Sequence, residues 1–182
     1  MATTYIITGS PGAGKSTVSE KLALSFDRGL HLHFDSIYNM VKGGYTEPWN
    51  DADHRLSRAM FAATKGAWDA YVFDGFTPVL DYVFSLEELI QYLEILTGDA
   101  SLTILSSDLK TNIERDQSRQ WKVGKERVQH YHRYYENLQN KLAPFFLTNT
   151  EISPESCVQI IKERKIYPVS ELVEFLKEVH CG

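Results

Sequence analysis

One octapeptide constrains this chain more than any other feature. Gly9-Ser10-Pro11-Gly12-Ala13-Gly14-Lys15-Ser16 matches the pattern G-x-x-x-x-G-K-S/T at every fixed position. It follows a short apolar run, Thr4 to Thr8, and opens a stretch over Gly14 to Phe26 in which Val18, Leu22 and Phe26 recur at helical spacing. A strand that turns into a helix through glycine-rich backbone aims consecutive N–H groups and the positive end of the helix dipole at one point. That point is a cradle for phosphate oxygens. Gly9, Gly12 and Gly14 let the backbone curl, Lys15 is placed for β- and γ-phosphates, and the Ser16 hydroxyl suits Mg²⁺. Ser10, Pro11, Ala13 and Thr17 complete the nucleotide-binding stretch, and a ligand-free glycine turn is the competing reading.

Short apolar runs alternate with amphipathic stretches along the rest of the chain, the pattern of strands and helices around a mostly parallel sheet. Further strands are expected at Leu30–Phe34, Ala70–Phe73, Ser101–Leu105 and Pro144–Leu147. Helices are expected over residues 36–41, 51–68, 86–96, 109–120, 124–142, 154–164 and 170–180, with Ser153 and Ser170 as N-caps of the last two. No repeat or linker divides the 182 residues, so a single domain over 1–182 is expected.

Composition narrows the function. A hydrophobic content of 43 % rules out a disordered chain, and a net charge of −5 argues against a general nucleic-acid binder while leaving room for a local basic groove. The two cysteines, Cys157 and Cys181, make neither a disulfide framework nor a four-ligand zinc site. With no run long enough to span a bilayer, a soluble cytoplasmic protein without membrane or nucleic-acid partners, monomeric or homodimeric, is the expectation.

The octapeptide and its setting resemble the P-loop kinases of small metabolites, a group that includes gluconate kinase, shikimate kinase, adenylate kinase and chloramphenicol phosphotransferase. The resemblance implies an α/β three-layer fold with a five-stranded parallel sheet of order 2-3-1-4-5. It also implies ATP and Mg²⁺ as cofactors, an acceptor-binding segment at about 35–69 and an arginine-bearing lid at about 109–142.

Four groups of residues then carry the expected chemistry. Asp35 follows the second strand, where ligands bind in open α/β sheets, and a carboxylate there orients and deprotonates a hydroxyl acceptor but repels an anionic one. An N-cap for the helix over 36–41 is its other reading. Asp74, in Asp74-Gly75-Phe76, reads as the acidic group of the Mg²⁺ shell, or else as a plain turn. In the loop after Asp35, Tyr45, Trp49, Asp53, His54 and Arg55 supply ring and hydrogen-bonding groups for a polar acceptor, against a surface loop anchored by Trp49. Arg115 and Arg119 lie four apart on one helix face. The resemblance assigns Arg115 to adenine and Arg119 to the transferring phosphoryl group, with ordinary ion pairs as the alternative. The function expected is phosphoryl transfer to a small-molecule hydroxyl. Nucleotide or polynucleotide kinases and a non-enzymatic nucleotide switch are the alternatives.

Overall fold

A computed structural model of the chain describes residues 3–47, 50–51 and 54–181. The elements run β1 (Thr3–Gly9), α1 (Lys15–Leu24), β2 (Gly29–His33), α2 (Phe34–Tyr38), α3 (Arg55–Phe73), β3 (Thr77–Asp81), α4 (Leu86–Glu94) and β4 (Asp99–Ser106). They continue with α5 (Leu109–Gln117), α6 (Lys125–Leu138), a 3-10 turn at Ala143–Phe145, β5 (Phe146–Thr148), α7 (Pro154–Lys162), β6 (Tyr167–Pro168) and α8 (Val169–Cys181). Five strands pair in parallel in the order β2-β3-β1-β4-β5, as expected. The short β6 adds to β4 in antiparallel sense, pairing Ala100 with Tyr167, and has no counterpart in the sequence reading.

Alternation along the central strands builds the three layers. Tyr5 and Ile7 of β1 face α1 and α7 and pack with Val18, Leu22, Val158 and Ile161. Ile6 faces the opposite layer, where Met60 and Trp68 of α3 meet Leu89 and Leu93 of α4 and Leu176 of α8. The Trp68 indole donates to the Thr4 hydroxyl at 3.0 Å, so this buried ring keeps a partner for its N–H. Helix α4 starts with a capping box: Ser85 accepts from the Glu88 N–H while the Glu88 carboxylate accepts from the Ser85 N–H. Ser153 caps α7 by accepting from the Ser156 N–H, as expected, whereas α8 begins at Val169, ahead of the expected cap Ser170.

The main correction concerns the third strand. Ala70–Phe73 is the last turn of α3, with Tyr71 exposed and Phe73 92 % exposed. The helix stops in a Schellman arrangement: the Gly75 N–H bonds to the Val72 carbonyl and the Phe76 N–H to the Tyr71 carbonyl. Gly75 takes φ +81°, which glycine adopts without strain. Asp74-Gly75-Phe76 is therefore a helix stop, and the true β3 follows it at Thr77–Asp81. An apolar run of four cannot be told from the end of a buried helix by periodicity, and here the glycine marks the stop.

Candidate active site

The sheet delivers three loops to one crevice. β1 ends at Gly9 and runs into the 9–16 loop, β2 ends at His33 beside Asp35, and β3 ends at Asp81. In the parallel register His33 stands opposite Asp81 and His31 opposite Val79, so both imidazoles and Asp81 share one face.

The loop has the shape expected of a phosphate cradle. Gly12 adopts φ +83° and lies so close to α5 that a Cβ would collide with the Asn112 carbonyl. Two buried asparagines hold the loop from behind. Asn112 Nδ2 donates to Ser10 Oγ at 2.8 Å, and Asn149 Nδ2 donates to the Ala13 carbonyl at 2.7 Å. The Ser107 hydroxyl in turn donates to Asn112 Oδ1. Asn112 and Asn149 are absent from the sequence reading, because nothing local distinguishes them from surface asparagines.

Lys15 is buried and donates to the Ser10 carbonyl at 3.1 Å. Burial pulls its ammonium down to about 8, against the attraction of Asp81 and Asp35 and with help from the Arg119 guanidinium. A buried ammonium bonded to a carbonyl still has donors to offer an anion.

Asp81, and not the expected Asp74, is the carboxylate that the fold brings to Ser16. Asp81 is 1 % exposed; its Oδ2 accepts from Ser16 Oγ at 2.7 Å and its Oδ1 lies 2.8 Å from His31 Nε2. Burial pushes this carboxyl up, but the His31 hydrogen bond, the neighbouring His33 and the Ser16 hydroxyl outweigh it and hold it below the usual carboxylate range. Asp74 sits before β3, where its carbonyl accepts from Arg28. The sequence signal for Asp81 is the apolar Val79-Leu80 run that precedes it.

His33 is hydrogen-bonded to Ser36 Oγ through Nδ1 at 3.0 Å, and its Nε2 lies 3.4 Å from Ser16 Oγ and 3.6 Å from Asp35 Oδ2. Asp35 beside it, and Asp81 beyond, hold the imidazole above its ordinary value against the effect of burial. Asp35 lies within the first turn of α2, whose N-cap is His33, so its carboxylate is free of capping and half exposed at the crevice mouth.

On the other side of the loop, Gly14, Thr17, Arg115, Arg119, Asn149 and Cys157 line a cavity of about 310 Å³ between α1, α5 and the start of α7. Both arginines face it, the charge of Arg119 acting on Lys15 and that of Arg115 on Cys157. The α5–α6 pair is less detached than its polar sequence implies. Val128 and Tyr135 of α6 are buried, and Asp116 of α5 accepts from the Val123 and Gly124 N–H groups at 3.1 Å, tying down the connection between the helices.

Solved structures share this fold. A gluconokinase from Sinorhizobium meliloti is 15 % identical, with 96 % of this chain and 95 % of that one covered at a TM-score of 0.64. The shikimate kinase of Acinetobacter baumannii is 18 % identical, with 90 % and 92 % covered at 0.61. A chain of the Pnkp1/Rnl/Hen1 RNA repair complex is 17 % identical at 0.64, and 78 % of this chain matches 46 % of that one, so the chain spans about half its length. The fold is that of the P-loop small-molecule kinases. No family model matches the sequence, and no curated protein matches it significantly.

Within this P-loop kinase fold, the expected acceptor residues are dispersed. Tyr45 packs edge-on to Tyr38 with ring centroids 5.7 Å apart, and its hydroxyl donates to Glu47 at 3.0 Å. Arg55 is exposed at the start of α3, with its backbone N–H bonded to Asp51. His54 caps that helix in the left-handed region, and Trp49 and Asp53 lie outside the described residues. Asp51 is the anchor the sequence reading missed: buried, it accepts from the Arg55, Leu56 and Ser57 N–H groups. Among the described residues no helix is long and apolar enough to cross a membrane.

Hard oxygen donors at Ser16 and Asp81 suit Mg²⁺, and the loop amides with Lys15 suit a nucleoside triphosphate, so the residues present fit both groups.

Proposed function

We propose that the chain is an ATP- and Mg²⁺-dependent phosphotransferase that moves the γ-phosphoryl group to a hydroxyl of a small molecule such as a sugar acid, another metabolite or an antibiotic. The observation that carries this reading is Asp35, a half-exposed carboxylate at the crevice mouth, 3.6 Å from His33 Nε2, whose charge reaches the buried Lys15. A nucleotide switch has no use for such a group. Asp35 Oδ accepts the proton of the acceptor hydroxyl as the oxygen attacks, and Lys15 Nζ holds the β- and γ-phosphate oxygens. The loop amides fix the phosphates, while the 109–142 segment, acting as a lid, excludes water with Arg119 over the phosphoryl group and Arg115 at adenine. Ser16 and Asp81 would hold the Mg²⁺, which would neutralise charge on the phosphates. Tyr45 and Arg55, in the acceptor segment 35–69, are proposed to contact the acceptor.

A second reading, with a polynucleotide 5′-hydroxyl as acceptor, rests on a specific feature. Between residues 109 and 142 eight Lys and Arg outnumber four Asp and Glu, although the whole chain is acidic. Trp121, 83 % exposed in the α5–α6 connection beside Lys122, offers a ring on which a base can stack.

Asp35→Asn tests both, because each acceptor is a hydroxyl. The variant is expected to keep ATP affinity and to lose on the order of 10²-fold in kcat. Near-normal turnover would overturn the base assignment. ADP release measured on a panel of hydroxylated metabolites and antibiotics against a single-stranded oligonucleotide bearing a 5′-hydroxyl separates the two acceptor classes.

A further inference from the structure

The phosphoryl transfer just described leaves His31 without a task, yet its position is specific. His31 and His33 are two apart on β2, and their rings stack with centroids 5.9 Å apart. The β2–β3 register puts His31 diagonally across from Asp81, and its Nε2–H donates to Asp81 Oδ1 at 2.8 Å. Asp81 Oδ2 is left for Ser16 Oγ at 2.7 Å. His33 does not supply the same restraint: its Nδ1 is taken by Ser36, and its Nε2 is 3.9 Å from Asp81 Oδ2.

A carboxylate turns about its Cβ–Cγ bond, and one held at a single oxygen does not present the other in a defined direction. We infer that His31 is a positioning residue that fixes Asp81 with Oδ2 toward Ser16 and thereby sets the affinity of the site for its divalent cation; this rests on the phosphotransferase reading above. If Ser16 turned its oxygen to the cation, Oδ2 would lose its donor and be free for the cation, while His31 would keep Oδ1 engaged. A hydrogen-bonded partner behind a metal-facing carboxylate is a recurring device for tuning metal affinity.

The test uses two polar replacements at this partly exposed position. Glutamine carries an N–H donor at about the reach of Nε2, whereas asparagine falls short of Asp81. The readout is equilibrium binding of ATP across a Mg²⁺ titration, with metal-free ATP binding measured beside it. His31→Asn is expected to raise the Mg²⁺ concentration for half-maximal effect about 10-fold, leaving metal-free binding unchanged, and His31→Gln to recover most of that loss. In an Asp81→Asn background His31→Asn should add nothing, because it acts through the carboxylate. A wild-type Mg²⁺ requirement in His31→Asn, equal weakening with and without metal, or additive effects with Asp81→Asn would each overturn the inference while leaving the phosphotransferase reading intact. Absence of Mg²⁺-dependent ATP binding in the wild-type protein would overturn that reading and this inference together.

Discussion

Lys15 shows what a buried ammonium costs a protein. Its ammonium is buried against a carbonyl, and holding it near 8 instead of 10.5 costs on the order of 3 kcal/mol at neutral pH. The sign follows from linkage: the penalty is present in full below about 8 and fades as pH rises toward 10.5, because the unfolded chain keeps its proton longer. Lys15→Met should therefore raise the melting temperature of the nucleotide-free protein by several degrees while reducing phosphoryl transfer by at least about 10²-fold. Binding runs the other way. Above pH 8 the free protein loses the charge that phosphates need, so the ATP dissociation constant should climb by up to about tenfold per pH unit until the bound form also titrates. A competition titration at several pH values checks this, and a flat profile between pH 7 and 9 would show that Lys15 carries no such role.

Helix α5 works at both ends of the site. Asn112 ties its start to the P-loop, and Arg115 and Arg119 in and just after its last turn face the cavity beside Gly14. Because the charge of Arg119 reaches Lys15 whereas that of Arg115 reaches Cys157, the two arginines are expected to act on different quantities. Arg119→Ala should lower kcat more than it weakens ATP binding, and Arg115→Ala should chiefly weaken ATP binding. Steady-state kinetics with direct ATP titration separates them, and small equal effects from both would reduce the pair to surface charges. The spacing of Arg115 and Arg119 was legible in the sequence, but the cavity they share was not, since its other wall comes from α1 and from the segment after β5.

Across the molecule, helix α6 is bonded into the core. Tyr135 of α6 donates to the Phe84 carbonyl at 2.7 Å, the Thr8 hydroxyl donates to Tyr135 at 2.7 Å, and the Phe84 N–H donates to Thr8 at 3.2 Å. This closed loop joins β1, the segment after β3 and α6. Tyr135→Phe leaves two buried groups short of a partner and should cost about 1–3 kcal/mol. The loss should appear as a lower denaturation midpoint and as faster amide exchange in α6, with exchange in α7 unchanged as a control. Uniformly altered exchange would mean that the loop stabilises the whole fold and does not specifically hold α6.

The shape of the proposed phosphate cradle was written in eight consecutive residues because what it needs is local: glycines that tolerate positive φ, a lysine and a hydroxyl at fixed offsets, and a helix dipole that begins where the strand ends. The position of Asp35 at the crevice was legible for the same reason, as the first acid after an apolar strand. Asp81, His31, Asn112 and Asn149 were not. Each acts through a partner that chain distance hides: Ser16 for Asp81, Asp81 for His31, Ser10 for Asn112, Ala13 for Asn149. Such pairs exist only once the strand register and the packing of α5 and β5 against the loop are set. The misplaced third strand shows the same limit. Tyr71-Val72-Phe73 and Val79-Leu80 are equally apolar, and a local pattern cannot separate a helix end from a strand. The choice between them falls to the sheet, which accepts Thr77–Asp81 between β2 and β1 and leaves Phe73 in water.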